Sequence, residues 1–119
     1  MGRILVIEDN RENLDLMLYL LGAFGHTAYA AGDGDEGLSK AAAEKPDLIV
    51  CDVHLPVLDG YAVVSRLKAD PALRAIPVIA VTALAIVGDR ELVLRAGFDG
   101  YLAKPINPET LATQIESWL

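Results

Sequence analysis

Glu8, Asp9, Asp52, Thr82 and Lys104 are far apart in the chain, yet each closes or follows a short apolar run. Three carboxylates brought together repel one another, and a divalent cation relieves that repulsion. All-oxygen ligands completed by water suit Mg²⁺. Such an ion neutralises charge on a phosphoryl group while a carboxylate oxygen attacks phosphorus. A threonine hydroxyl can donate a hydrogen bond to a phosphoryl oxygen, and a lysine ammonium can pair with another as a point charge. Proline after Lys104 allows a cis peptide that would aim the ammonium. The set reads as an aspartyl-phosphate site with Asp52 as the reactive carboxylate.

The elements that must position these groups are legible from patterning. Leu48-Ile49-Val50-Cys51 is an unbroken apolar run that reads as a strand buried on both faces, and Asp52 stands at its end. Pro56 and Asp59-Gly60 then force a turn. Arg3 to Ile7 reads as a first strand, ending in the cap-like Glu8-Asp9-Asn10. Leu14, Met17, Leu18 and Leu21 recur at helical spacing, and Gly22 and Gly25 bracket the stop. Thr27 to Ala31 is a weak second strand. Asp33 to Glu44 reads as a helix, and Pro46 separates it from the central strand. Val63, Val64 and Leu67 mark a third helix ended by Asp70-Pro71. Pro77 to Val81 is a fourth strand closing at Thr82. Val87 to Ala96 is a helix with Gly97 as its left-handed cap, and Asp99 to Ala103 is the fifth strand. Leu111, Ile115 and Trp118 share one face of a terminal helix. Strands alternating with helices over short connections predict a parallel sheet covered on both faces. Right-handed crossovers end every strand on one edge, so the chemical residues converge on one crevice.

The chain has 119 residues, which read as one domain, 1–119, with no internal repeat, linker or low-complexity segment. The last helix reaches the final residue, so a free-standing or an excised domain is expected. The net charge of −7 argues against direct nucleic-acid binding, which needs a basic face. No run approaches a membrane span, and no leader is visible. The lone cysteine, Cys51, has no partner for an internal disulfide, which fits a reducing cytoplasmic setting.

With these residues in view, the chain resembles the receiver domain of two-component response regulators. The matching pieces are Ile7-Glu8-Asp9-Asn10, Asp52 with Leu55-Pro56 and Asp59-Gly60, Thr82-Ala83, Ala96-Gly97, Asp99-Gly100-Tyr101 and Lys104-Pro105. The resemblance runs end to end, and its joint spacing is specific. It implies a flavodoxin-like three-layer α/β fold, (βα)5, with strand order 2-1-3-4-5. It implies that Asp52 takes a phosphoryl group from a histidine kinase or a histidine phosphotransfer protein. It implies that Glu8, Asp9, Asp52 and the backbone carbonyl of His54 hold Mg²⁺, Glu8 largely through water. Thr82 and Lys104 would contact the phosphoryl oxygens, and Tyr101 would turn inward as Thr82 is drawn to the phosphate. The output, to a downstream effector or a second copy, would leave through the fourth helix, fifth strand and fifth helix. His54 and Leu84 stand where the family tunes dephosphorylation. Neither is an acid or an amide, so a long-lived phosphoryl state is expected.

Other readings compete at single positions. Asp59 reads as a turn residue, Cys51 as a core hydrophobe, and His26 and the His54 side chain as solvated. Leu16, Tyr19 and Leu20 project away from the expected core stripe of the first helix, so Leu16 and Leu20 are expected to dock a helical partner. Ile86, in Leu84-Ala85-Ile86-Val87, is expected at a partner or dimer surface. A Mg²⁺-dependent phosphatase of the haloacid dehalogenase type would want a second acid where His54 stands. A phosphorylation-free interaction module would not need all of Asp9, Asp52, Thr82 and Lys104. A flavin-binding protein would need a Ser-, Thr- and Gly-rich phosphate loop after the first strand.

Overall fold

Each apolar run forms a strand: β1 (Arg3–Ile7), β2 (Thr27–Ala31), β3 (Leu48–Asp52), β4 (Val78–Thr82) and β5 (Gly100–Ala103). They alternate with α1 (Arg11–Ala23), α2 (Gly34–Glu44), α3 (Gly60–Ala69), α4 (Asp89–Ala96) and α5 (Leu111–Glu116). The structure is a computed structural model and describes residues 2–83 and 89–119. The five strands pair in parallel in the order β2-β1-β3-β4-β5, as expected for a flavodoxin-like sheet. Strand alternation divides the core in two. Leu5, Ile7, Ile49, Cys51, Val78 and Ala80 pack with Val63, Val64 and Leu67 of α3 and Val93 of α4. Ile4, Val6, Leu48, Val50, Ile79 and Val81 pack with α1 and with Leu111 and Ile115 of α5. Asn10, Asp33 and Asp59 cap α1, α2 and α3, each accepting from a backbone N–H three residues on.

Some sequence expectations need correction. Leu20 is buried and Leu16 half-buried, both in the α1–α5 cluster, so they do not form a free docking face. The reason is that α1 packs on α5 as well as on β1 and β2, which widens its apolar arc. The exposed large apolar side chain of α1 is Tyr19. His26 is buried rather than solvated: its Nδ1 accepts from the N–H of Gly2 and its Nε2 lies 2.9 Å from Glu116 Oε2. That network ties the start of the chain to α5. Val78 rather than Pro77 opens β4, because proline offers the ladder no N–H. β5 opens at Gly100; Asp99 stands just outside it, its N–H donating to the Val78 carbonyl and its carboxylate accepting from the Val78 N–H and Lys68 Nζ. The expected helix start at Val87, and Leu84 and Ile86, lie outside the described residues.

Candidate functional site

The carboxyl edge of the sheet is where the chemical residues meet. Ile7 of β1 pairs with Cys51, so Glu8 leaves its strand beside Asp52. Asp52 pairs with Val81, which places Thr82 one residue beyond it, and Thr82 pairs with Ala103, immediately before Lys104. The backbone continues this register past the strands. Val53 N–H donates to Val81 O, and Lys104 N–H donates to Thr82 O at 2.8 Å. The Lys104–Pro105 peptide is cis.

Gly60 brings α3 up behind Asp52. A Cβ there would stand 2.5 Å from Asp52 O and 2.7 Å from Val53 Cα, so only glycine lets α3 start so close to the end of β3. Asp59, expected as a turn residue, is the α3 cap, with Oδ1 accepting from Ala62 N–H at 2.9 Å.

The side chains form one ionic knot. Lys104 Nζ lies 2.8 Å from Asp52 Oδ2 and 3.0 Å from Glu8 Oε1. Asp52 Oδ1 accepts from His54 N–H at 2.9 Å, and Glu8 Oε2 accepts from Asn10 N–H at 3.2 Å. Glu8, Asp52 and Thr82 are buried, while Asp9 opens to solvent. Carboxylate oxygens of Glu8, Asp9 and Asp52 lie within 4.8 Å of one another. Tyr101 is half-buried and packs on the α3–α4 side of the sheet.

Burial pushes the Glu8 carboxyl up to about 7, and its hydrogen bond with Asp52 adds to the rise, against Lys104. Burial also raises Asp52, but hydrogen bonds from Glu8, Lys104 and the His54 N–H outweigh it and leave Asp52 below the ordinary carboxylate value. Desolvation works against the Lys104 ammonium, yet its two carboxylate partners prevail and raise it. Cys51 is driven far up by burial and neighbouring carboxylates, so it is an inert core thiol.

These residues fit a divalent cation. Among the described residues, three carboxylates face one ammonium. Glu8 Oε1 is buried, and among the described residues Lys104 Nζ, 3.0 Å away, is its ion-pair partner. An ion with oxygen ligands completes that deficit.

Sequence patterning brought Glu8, Asp9, Asp52, Thr82 and Lys104 to one edge, and they lie there. It gave no sign of the depth at which Glu8 sits. It also missed Val57, in the loop between β3 and α3, whose φ is +64 with no glycine or asparagine to signal it.

The sequence profile of the response regulator receiver domain matches residues 4–116. The polar-differentiation response regulator DivK of Brucella anthropi is 40% identical over 116 residues, spanning 98% of this chain and 94% of the relative. The chemotaxis response regulator CheY4 of Vibrio cholerae superposes with a TM-score of 0.94 at 28% identity, over 100% of this chain and 99% of that one. The receiver domain of a Pseudomonas aeruginosa sensor histidine kinase, solved with a magnesium ion coordinated in its active site cleft, gives 0.89 at 37% identity over 98% and 96%.

Proposed function

The chain belongs to the response regulator receiver domain family, the phosphoacceptor switches of two-component signalling, and on that premise we propose that Asp52 is the residue phosphorylated. The observation that carries this reading is the Lys104–Asp52 ion pair at 2.8 Å, set in a cluster with the carboxylates of Glu8 and Asp9. An Asp52 oxygen attacks the phosphorus of a phosphohistidine on a histidine kinase or phosphotransfer protein. An O–P bond forms, the P–N bond breaks, and its electron pair leaves on the imidazole nitrogen. Lys104, already against the nucleophile, offsets the charge of the transferring group, so the chain assists its own phosphorylation without turning over outside substrates. Thr82, at the end of β4, donates its hydroxyl to a phosphoryl oxygen, and Tyr101 turns inward in response. Glu8, Asp9, Asp52 and the His54 carbonyl would hold Mg²⁺, Glu8 through water, and the ion would supply neutralising charge.

The switched state acts through the face of α4, β5 and α5 on a downstream protein or a second copy; Leu92 and Leu94 of α4 are exposed. No helix among the described residues is long and apolar enough to cross a membrane, and a cytoplasmic place fits the kinase-facing role.

Incubation with Mg²⁺ and either acetyl phosphate or a panel of phosphorylated histidine kinases tests the assignment. Wild type takes a hydroxylamine-sensitive phosphoryl label, and Asp52→Asn takes none. Equal labelling of Asp52→Asn overturns it.

A further inference from the structure

His26 is a buried titratable group that the phosphoacceptor chemistry leaves unused. It stands just before β2, at the edge of the sheet opposite Asp52. Its ring is bonded on both sides. The Gly2 N–H can only donate, so Nδ1, 2.9 Å away, is the acceptor. A neutral imidazole has one acceptor and one N–H, so its proton is on Nε2 and is donated to Glu116 Oε2 at 2.9 Å. The side chain is 3% exposed, so water does not replace either partner in place. Few charges surround it. Arg3 is the charged residue of β1 and Glu116 that of α5, while residues 20–25 and β2 carry none. The Arg3 guanidinium is turned to Tyr29 and Glu44, and Asp47 accepts from the Arg3 N–H. Among the described residues, Glu116 is therefore the charge that the imidazole meets.

A second proton on this ring has one place to go, the Nδ1 lone pair that holds Gly2. An imidazolium donates at both nitrogens, so the Gly2 contact becomes two donors face to face, while the Nε2 contact becomes an ion pair with Glu116. We propose that His26 is a proton-operated latch: neutral, it ties the start of β1 to the carboxyl end of α5; protonated, it releases Gly2 and keeps Glu116. The fold has room for the released backbone. Gly2 borders a hollow of about 560 Å³ with Asp47, Pro77, Trp118 and Leu119. A Cβ on Gly2 would stand 3.0 Å from the Leu119 side chain, so Gly2 does not swing without moving Leu119 and its neighbour Trp118. Trp118 rests on Gly100, where a Cβ would meet the indole at 2.6 Å. Proton uptake at His26 thus reaches the end of α5 and the start of β5, both elements of the output face, by a route that does not depend on Asp52.

The chain has two histidines and one tryptophan, so both ends of the latch are read directly. The unphosphorylated protein is taken in Mg²⁺-free buffer from about pH 8 to about pH 5, the interval in which imidazoles change charge. At the upper end ¹⁵N spectra show the His26 ring in its Nε2–H form. As pH falls, Trp118 emission shifts with the same midpoint as ring protonation, while circular dichroism stays native. His26→Asn offers Gly2 an acceptor oxygen that takes no proton, and its emission stays flat. Glu116→Gln removes the partner of the imidazolium and moves the step to lower pH. Glu8, pushed up to about 7, also titrates in this interval but at the other edge of the sheet, so Glu8→Gln keeps the step. An Nδ1–H ring at pH 8 overturns the latch, as does a flat wild-type emission or an emission midpoint apart from that of the ring. A step that survives His26→Asn, stays in place in Glu116→Gln or vanishes in Glu8→Gln overturns it too. Should His26→Asn fail to fold, the two wild-type midpoints still decide.

Discussion

Lys104 is the counter-charge for two buried carboxylates at once, Asp52 at 2.8 Å and Glu8 at 3.0 Å. Lys104→Met leaves both without it. Phosphorylation of this variant from acetyl phosphate falls about 10²-fold, the usual cost of removing a preorganised charge partner. Its metal-free fold loses about 1–3 kcal/mol in urea denaturation; wild-type labelling rates would contradict the role given to the ammonium. Glu8 makes a separate, pH-dependent contribution. Its carboxyl is pushed from 4.5 up to about 7, so between those values the native chain keeps a proton that the unfolded chain has lost. The metal-free protein therefore becomes less stable as pH rises through this window, by about 3 kcal/mol in all. Asp52 is shifted the other way, and its contribution is lost only below its ordinary 3.8. Denaturation in EDTA at pH 5 and pH 7.5 reads the slope, and Glu8→Gln flattens it. A wild-type curve with no fall across that interval would count against a protonated Glu8. The types of both residues were legible in the sequence. Their burial was not, because a polar residue after a strand looks the same whether it faces water or a crevice.

At the scale of elements, the start of α3 sets the height of the nucleophile. Gly60→Ala places a Cβ 2.5 Å from Asp52 O, and backbone atoms cannot yield as a flexible side chain would. It costs about 1–3 kcal/mol, and phosphorylation slows because Asp52 is displaced. Gly22→Ala, in α1 with nothing within 4 Å of the new Cβ, is the control; it stabilises by about 0.5–1 kcal/mol. A neutral Gly60→Ala in paired thermal melts would show that the close approach is unimportant. The first helix shows where periodicity misled. Its apolar residues were divided into a core stripe and an outer face, which assumes that one layer covers the helix. A second helix, α5, covers it as well, and Leu16 and Leu20 are drawn inward. A helix carries no record in its own sequence of how many neighbours it will have.

For the whole molecule, the acidic knot links metal binding to folding. An ion that binds only the native crevice stabilises it by about 2.7 kcal/mol at a hundredfold excess over its Kd. Mg²⁺ should raise the melting temperature of wild type, and Asp9→Asn should lose most of that rise with little effect in EDTA, since Asp9 is exposed. A rise of equal size in Asp9→Asn would place the ion elsewhere. The sequence by itself determined the strand–helix alternation, and with it the parallel sheet and the common edge on which Asp52, Thr82 and Lys104 end. Those follow from local apolar periodicity and the fixed hand of the crossover, which any short window of the chain carries. Only the tertiary structure decided which helices share a face, how deeply Glu8 lies, that His26 bonds Gly2 and Glu116, and that Val57 is forced to a positive φ. Each of these depends on groups distant in sequence competing for the same space, and that competition exists only once the layers have packed.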